Sequence, residues 1–162
     1  MVLSAARVEQ QDAHWRTDVT PSTEFRLVAT EETIQTKVGW VADRRTTIAC
    51  GISVTGSLEE GVRRHIADAP ELDVSALLLL RPERELGRTA LQSAGDAVAL
   101  ARQAKTHMRE STKRWNATRL LLYYFGPLSG ACFIGHSLNA VCRSVQIMED
   151  QQPGYALSFS LE

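Results

Sequence analysis

Arg81, Arg84 and Arg88 crowd one short stretch of this chain. Guanidinium groups grip phosphate through paired hydrogen bonds and stack on the faces of bases, so three of them together point to an anionic, aromatic ligand. Glu83 and Glu85 interleave with them, and a solvated charged loop is the plainer reading of the same residues. A second anion-binding signal is Phe125-Gly126-Pro127-Leu128-Ser129-Gly130. An apolar and aromatic run stops there, Pro127 fits the first position of a helix, and the small residues that follow leave the first-turn amides open to a phosphate. Ser129 is then either a hydrogen-bond donor to that ligand or a plain helix cap. Phe125, at the tip of the run, either stacks on a base or packs in the core. Thr55-Gly56-Ser57 ends another β-branched run and makes a second junction of this type.

Other chemistries find no support. The serine of Leu128-Ser129-Gly130 sits one place too far along for a Gly-x-Ser-x-Gly nucleophile elbow. The spacings of a P-loop, a dinucleotide fingerprint and a His-Glu-x-x-His metal helix are absent from the sequence. His136 and Asn139 share a helix face, but no second histidine or acidic cluster stands in register to complete a metal site. We therefore expect no catalytic residues, metal or cofactor. A net charge of −1 argues against a duplex nucleic-acid surface, which would carry a basic excess. It is compatible with a small nucleotide held by a few converging donors. The longest purely apolar run, residues 76–80, is far too short to cross a bilayer, and the first residues lack the pattern of a secretory signal. Three cysteines without Cys-x-x-Cys spacing fit free thiols in a reducing cytoplasm.

These residues must be positioned by the elements between them. Residues 1–22 are polar and aperiodic and read as a flexible N-terminal arm or linker, leaving 23–162 as the domain. A β-leaning segment covers 25–30, followed by an irregular or helical piece. The β-branched run 46–55 leads into helical spacing at Leu58, Val62, His65 and Ile66, with Ser57 as the expected cap and Pro70 as the stop. Residues 74–80 make a buried strand that ends at Arg81-Pro82. A long helix follows from Ser93 to about Trp115, then the strand before Gly126 and the helix after it. Residues 144–150 and 155–161, divided by Pro153-Gly154, form an antiparallel hairpin. Alternating strands and helices predict an α/β sandwich with a mostly parallel sheet, whose ligands sit outside the carboxyl ends of the strands. Those ends are Thr55-Gly56-Ser57, Arg81-Pro82 and Phe125-Gly126-Pro127.

The order of motifs carries a family resemblance. A strand closing in aromatic-Gly-Pro leads to a small-residue helix with Ala131 and Gly135 four apart, then to Leu138-Asn139. Val145-Gln146-Ile147-Met148-Glu149 and a last strand from Tyr155 to Leu161 complete the pattern. It resembles the C-terminal half of a SAVED domain, the cyclic-oligonucleotide sensor of bacterial CBASS and type III CRISPR anti-phage defence. The segment 74–80, Arg81-Pro82 and the helix holding Ser93, Asp96 and Ala97 agree with it, so the resemblance spans residues 25–162. It implies a Rossmann-like (CARF-like) three-layer fold and a cyclic di- or trinucleotide ligand. Binding is then expected to promote oligomerisation and to activate an effector domain or protein. A ring nuclease that cleaves the messenger, or a structural subunit without ligand, are the alternatives on the same architecture. The family builds its sensor from two CARF-like halves, whereas 162 residues hold about one such unit. Either this sequence is part of a longer chain that holds the other half, or a second unit, from another copy or another SAVED/CARF-like subunit, is the implied partner.

Overall fold

The computed structural model describes residues 10–11, 14–15, 19–34 and 46–162. Two short strands, β1 (Gln10–Gln11) and β2 (His14–Trp15), pair antiparallel. The main sheet comprises β3 (Leu27–Thr33), β4 (Thr46–Ser53), β5 (Val74–Pro82), β6 (Ala117–Phe125), β7 (Ser144–Asp150) and β8 (Tyr155–Leu161). Among the described residues three α-helices connect them: α1 (Glu59–Asp68), α2 (Ala94–Arg114) and α3 (Leu128–Ser137). Val38, Trp40, Val41, Arg44 and Arg45 lie outside the described residues, as do residues 1–9, 12–13 and 16–18 of the stretch read as an arm. The end of that stretch is seated on α2, where the Ser22 N–H donates to the Gly95 carbonyl at 2.9 Å.

Strand order in the sheet is β3-β5-β4-β6-β7-β8. The four inner strands run parallel, and β3 and β8 lie antiparallel at the two edges. The sheet is therefore mixed, which corrects the expectation of a mostly parallel one. The hairpin strand β8 is antiparallel as expected; the unexpected strand is β3, whose direction is set by docking on β5 and not by a local turn. A strand that returns through a tight turn, as β8 does after β7, can only pair antiparallel, while the helical crossovers return their strands parallel.

The helices divide between the two faces. Val62 and Ile66 of α1 pack with Ala49, Leu77, Leu121 and Tyr123 on one side of the sheet. On the other side, Ala97, Leu100, Ala104 and Met108 of α2 and Ile134 of α3 pack with Ile48, Cys50, Leu78, Leu80, Leu120 and Leu122. The chain steps one way from β4 to β5 over α1, then the opposite way to β6 and β7 over α2 and α3. Reversing both the direction and the face keeps one hand for all three crossovers, as α/β sheets require. The inner strands are covered on both faces, which is why 48–54 and 76–80 read as near-continuous apolar runs. No helix among the described residues is long and apolar enough to cross a membrane.

Candidate functional site

The direction of the chain reverses between β4 and β6, neighbours whose following helices leave to opposite faces. The crevice outside their carboxyl ends is the topological switch point of this sheet, the place where such folds hold ligands. Two of the predicted site segments meet there. The Phe125 carbonyl accepts from the Val54 N–H at 2.8 Å and the Thr55 N–H at 3.1 Å. The Phe125 ring lies on Gly56 so closely that a β-carbon there would come within 2.5 Å of it. Strand alternation puts Phe125 on the same face as Tyr123. Tyr123 is fully buried, however, while Phe125 is 49% exposed and Leu128 73% exposed. An apolar platform thus faces solvent at the sheet's carboxyl edge.

Three helix N-termini point to that edge, and they differ. That of α2 is closed: the Ser93 hydroxyl accepts from the Asp96 N–H, and the Asp96 carboxylate accepts from the Gln92 N–H. α1 starts at a Leu58 cap with no side-chain bond, and Ser57, expected as the cap, stands one residue earlier and accepts weakly from the Glu59 N–H at 3.4 Å. Its first turn carries Glu59 and Glu60, which already use the helix's positive end and pair with Arg63 and Arg64. The start of α3 also lacks a side-chain cap and has no acidic residue in its first turn. Pro127 proves to be the N-cap of α3, not its first helical residue; its extended backbone turns the chain into the helix. Ser129, in that first turn, is buried, and its hydroxyl has no hydrogen-bond partner among the described residues. Of the three, α3 is the start an anion would choose.

Gly126 and Gly130 serve a different purpose from an open approach. The Tyr124 hydroxyl donates to the Pro127 carbonyl at 2.9 Å. A β-carbon at Gly130 would collide with that hydroxyl and one at Gly126 would come within 2.5 Å of it. Both glycines let Tyr124 staple the end of β6 to the start of α3, and Gly130 is buried. Burial pushes the Tyr124 hydroxyl's pKa well above the ordinary range, so it stays a donor.

The arginine stretch is not a uniform positive patch. Arg81 is exposed near the end of β5 and, by alternation with Leu77, faces the α1 side, while Pro82 beside it is buried. Arg84 is engaged internally, with Nη1 3.2 Å from the Asp96 carboxylate and its guanidinium over the Phe25 ring at 5.5 Å. Arg88 is exposed at the corner of a turn closed by the Ala90 N–H donating to the Gly87 carbonyl.

Two features escaped the sequence reading. Because β7 runs parallel to β6, the turn 151–154 lies at the same edge as Phe125. Behind it, Tyr155 packs edge-on against Tyr123 at 4.9 Å and beside His65 at 5.7 Å. His65 Nδ1 lies 3.0 Å from the Tyr123 hydroxyl. The alternation that separates Tyr123 from Tyr124 was readable, but the partner of each was not. Among the described residues no group of histidine, cysteine and carboxylate side chains could hold a metal.

A sequence model of the SAVED family, the SMODS-associated and fused to various effectors sensor domain, matches residues 4–161. The chain belongs to the SAVED family. No curated protein matches it by sequence. Among solved structures, this SAVED chain is similar to the Acinetobacter baumannii Cap4 SAVED/CARF-domain containing receptor with the cyclic trinucleotide 3′3′3′-cAAA. The TM-score is 0.69 at 17% identity, covering 93% of this chain and 31% of the receptor chain. The same receptor with 2′3′3′-cAAA gives 0.68 at 17% identity, with the same coverage of both chains. At that identity the likeness is one of fold, and the SAVED chain spans less than a third of the receptor's length.

Proposed function

We propose that this SAVED chain is a sensor unit of anti-phage defence that binds a cyclic di- or trinucleotide at the carboxyl edge of its sheet. Phosphate takes the first-turn amides of α3 and the Ser129 hydroxyl, and a base stacks on Phe125. Thr55, Gly56 and Ser57 floor the crevice, with Gly126, Pro127, Leu128 and Gly130 forming its α3 wall. The single observation that carries the reading is the buried, unpartnered Ser129 hydroxyl in an uncapped, acid-free helix start at the switch point. A buried hydroxyl without a partner costs free energy that a ligand oxygen would return. The Cap4 receptor, of the same fold, is described with cyclic trinucleotides, which supports the ligand class. The messenger is the chain's only small partner in this reading. Its occupancy favours association with a second unit and activation of an effector elsewhere, with no chemistry performed here.

Calorimetric titration with cyclic di-, tri- and tetranucleotides, in 3′–5′ and 2′–5′ linkages, tests the ligand class. Leu128→Glu tests the site. A carboxylate in the first turn stabilises a helix by about 0.3–1 kcal/mol, so the variant should melt no lower than wild type. It should nevertheless bind at least tenfold more weakly, because the new charge repels phosphate. Undiminished binding would remove the α3 start from the site.

A further inference from the structure

The loop between β5 and α2 is pinned at three points. The Glu83 N–H donates to the Arg26 carbonyl at 2.9 Å, and Arg84 reaches Asp96, whose side chain is only 6% exposed. At the third point the Gly87 N–H donates to the Val54 carbonyl at 3.0 Å. Val54 is itself bonded through its N–H to the Phe125 carbonyl, so the Gly87 bond lands the loop on the crevice between β4 and β6. Gly87 has φ near +153°, a backbone conformation that other residues adopt only under strain, although a β-carbon there would meet nothing within 4 Å. It turns the chain so that Arg88 and Thr89, both exposed, project from the tip. The three arginines therefore hold different positions, though their sequence spacing makes them look alike.

We propose that Arg88 is the cation that meets ligand phosphate and that Arg84 is a positioning residue, holding the loop through Asp96 and Phe25 so that Arg88 overhangs the crevice. The assignment deepens, and rests on, the reading of the carboxyl edge as a nucleotide site. Arg84 is the wrong group to bind ligand directly, because a phosphate there would have to take it from a nearly buried carboxylate. That carboxylate, also bonded to the Gln92 N–H, would be left with its charge unbalanced. Arg88 has no such partner to lose among the contacts of the described residues, and its guanidinium is free to bind bidentately.

Two measurements on the full chain test this. In the ligand-free protein, hydrogen exchange at the Gly87 amide should quicken at least tenfold in Arg84→Ala and Asp96→Asn and stay at the wild-type rate in Arg88→Ala. In titrations with 3′3′3′-cAAA, Arg88→Ala should lose at least tenfold in affinity with an unchanged Tm and a shallower dependence on salt. Arg84→Ala should lose affinity while keeping the wild-type salt dependence, and Arg84→Lys should recover part of it. Wild-type exchange at Gly87 in Arg84→Ala, or a salt dependence reduced in Arg84→Ala as in Arg88→Ala, would overturn the positioning role. Wild-type binding by Arg88→Ala would overturn the phosphate role. Should wild type bind no cyclic di- or trinucleotide, the ligand reading falls and the role of Arg88 with it, and the exchange rates still decide Arg84.

Discussion

At the scale of single residues, His65 shows how a group outside the crevice ties the site's supports together. It sits on α1 with Tyr123 of β6 and Tyr155 of β8 around its ring, joining three elements in one contact. Desolvation holds its pKa below the ordinary 6.5, against the pull of Glu71 and Asp68 in the other direction. A lowered folded pKa means that the unfolded chain takes up the proton first. The stability contributed by neutral His65 is therefore complete above about pH 6.5 and is lost as pH falls below it. We expect Tm to decline between pH 7 and 5 and that decline to flatten in His65→Gln. Glu31 is pushed up by burial, but the bonds it accepts from Trp115 and Arg114 outweigh that, so it titrates below its ordinary 4.5 and acts in a separate, more acid window. An equal decline in His65→Gln would assign the effect to other groups.

At the scale of elements, much of the chain was legible because the inner strands are buried on both faces. Such strands cannot alternate, and the β-branched run 46–55, the strand reading of 74–80 and the apolar and aromatic run 120–125 marked the strands found at 46–53, 74–82 and 117–125. The hairpin was readable from Pro153-Gly154, and its strands fall where the spacing put them. Edge pairing was less legible: nothing local to β3 fixes its direction, which is decided by what it docks against. Helix starts moved by one residue, at Leu58 and Pro127, since cap geometry depends on backbone angles that residue type only biases. The roles of glycines were the least legible. Gly56 and Gly130 look equivalent in sequence, both small residues at a strand-to-helix junction. Yet one lies under a half-exposed ring and the other under a buried hydrogen bond. Gly56→Ala should displace the Phe125 ring into solvent, weakening nucleotide binding with little change in Tm. Gly130→Ala should break the Tyr124 staple and cost about 1–3 kcal/mol of stability, as overpacking commonly does. Paired melting and binding curves separate the two, and a Gly56→Ala variant that binds normally would exclude the Phe125 platform from recognition.

At the scale of the whole molecule, the decisive facts are that the crevice is open and that the chain spans only 31% of the receptor chain it resembles. One sheet edge supplies a floor and one wall. The exposures of Phe125 and Leu128 show that nothing among the described residues closes over them. A ligand with several phosphates that meets donors on one side only leaves its remaining charges in water, where each contact is weak. If a second unit covers the ligand, the assembled state binds more tightly than the separate units. By linkage, the ligand must then favour assembly by the same factor. We therefore expect the chain to gain mass in light scattering or sedimentation as cyclic nucleotide approaches saturation, and its apparent affinity to fall on dilution. The Leu128→Glu variant should lose the ligand-driven gain together with binding while keeping any ligand-free association, which distinguishes linkage from non-specific stickiness. A chain that stays monomeric and binds its nucleotide with full affinity at nanomolar protein concentration would show that one open edge suffices, and the second unit would have no part in recognition.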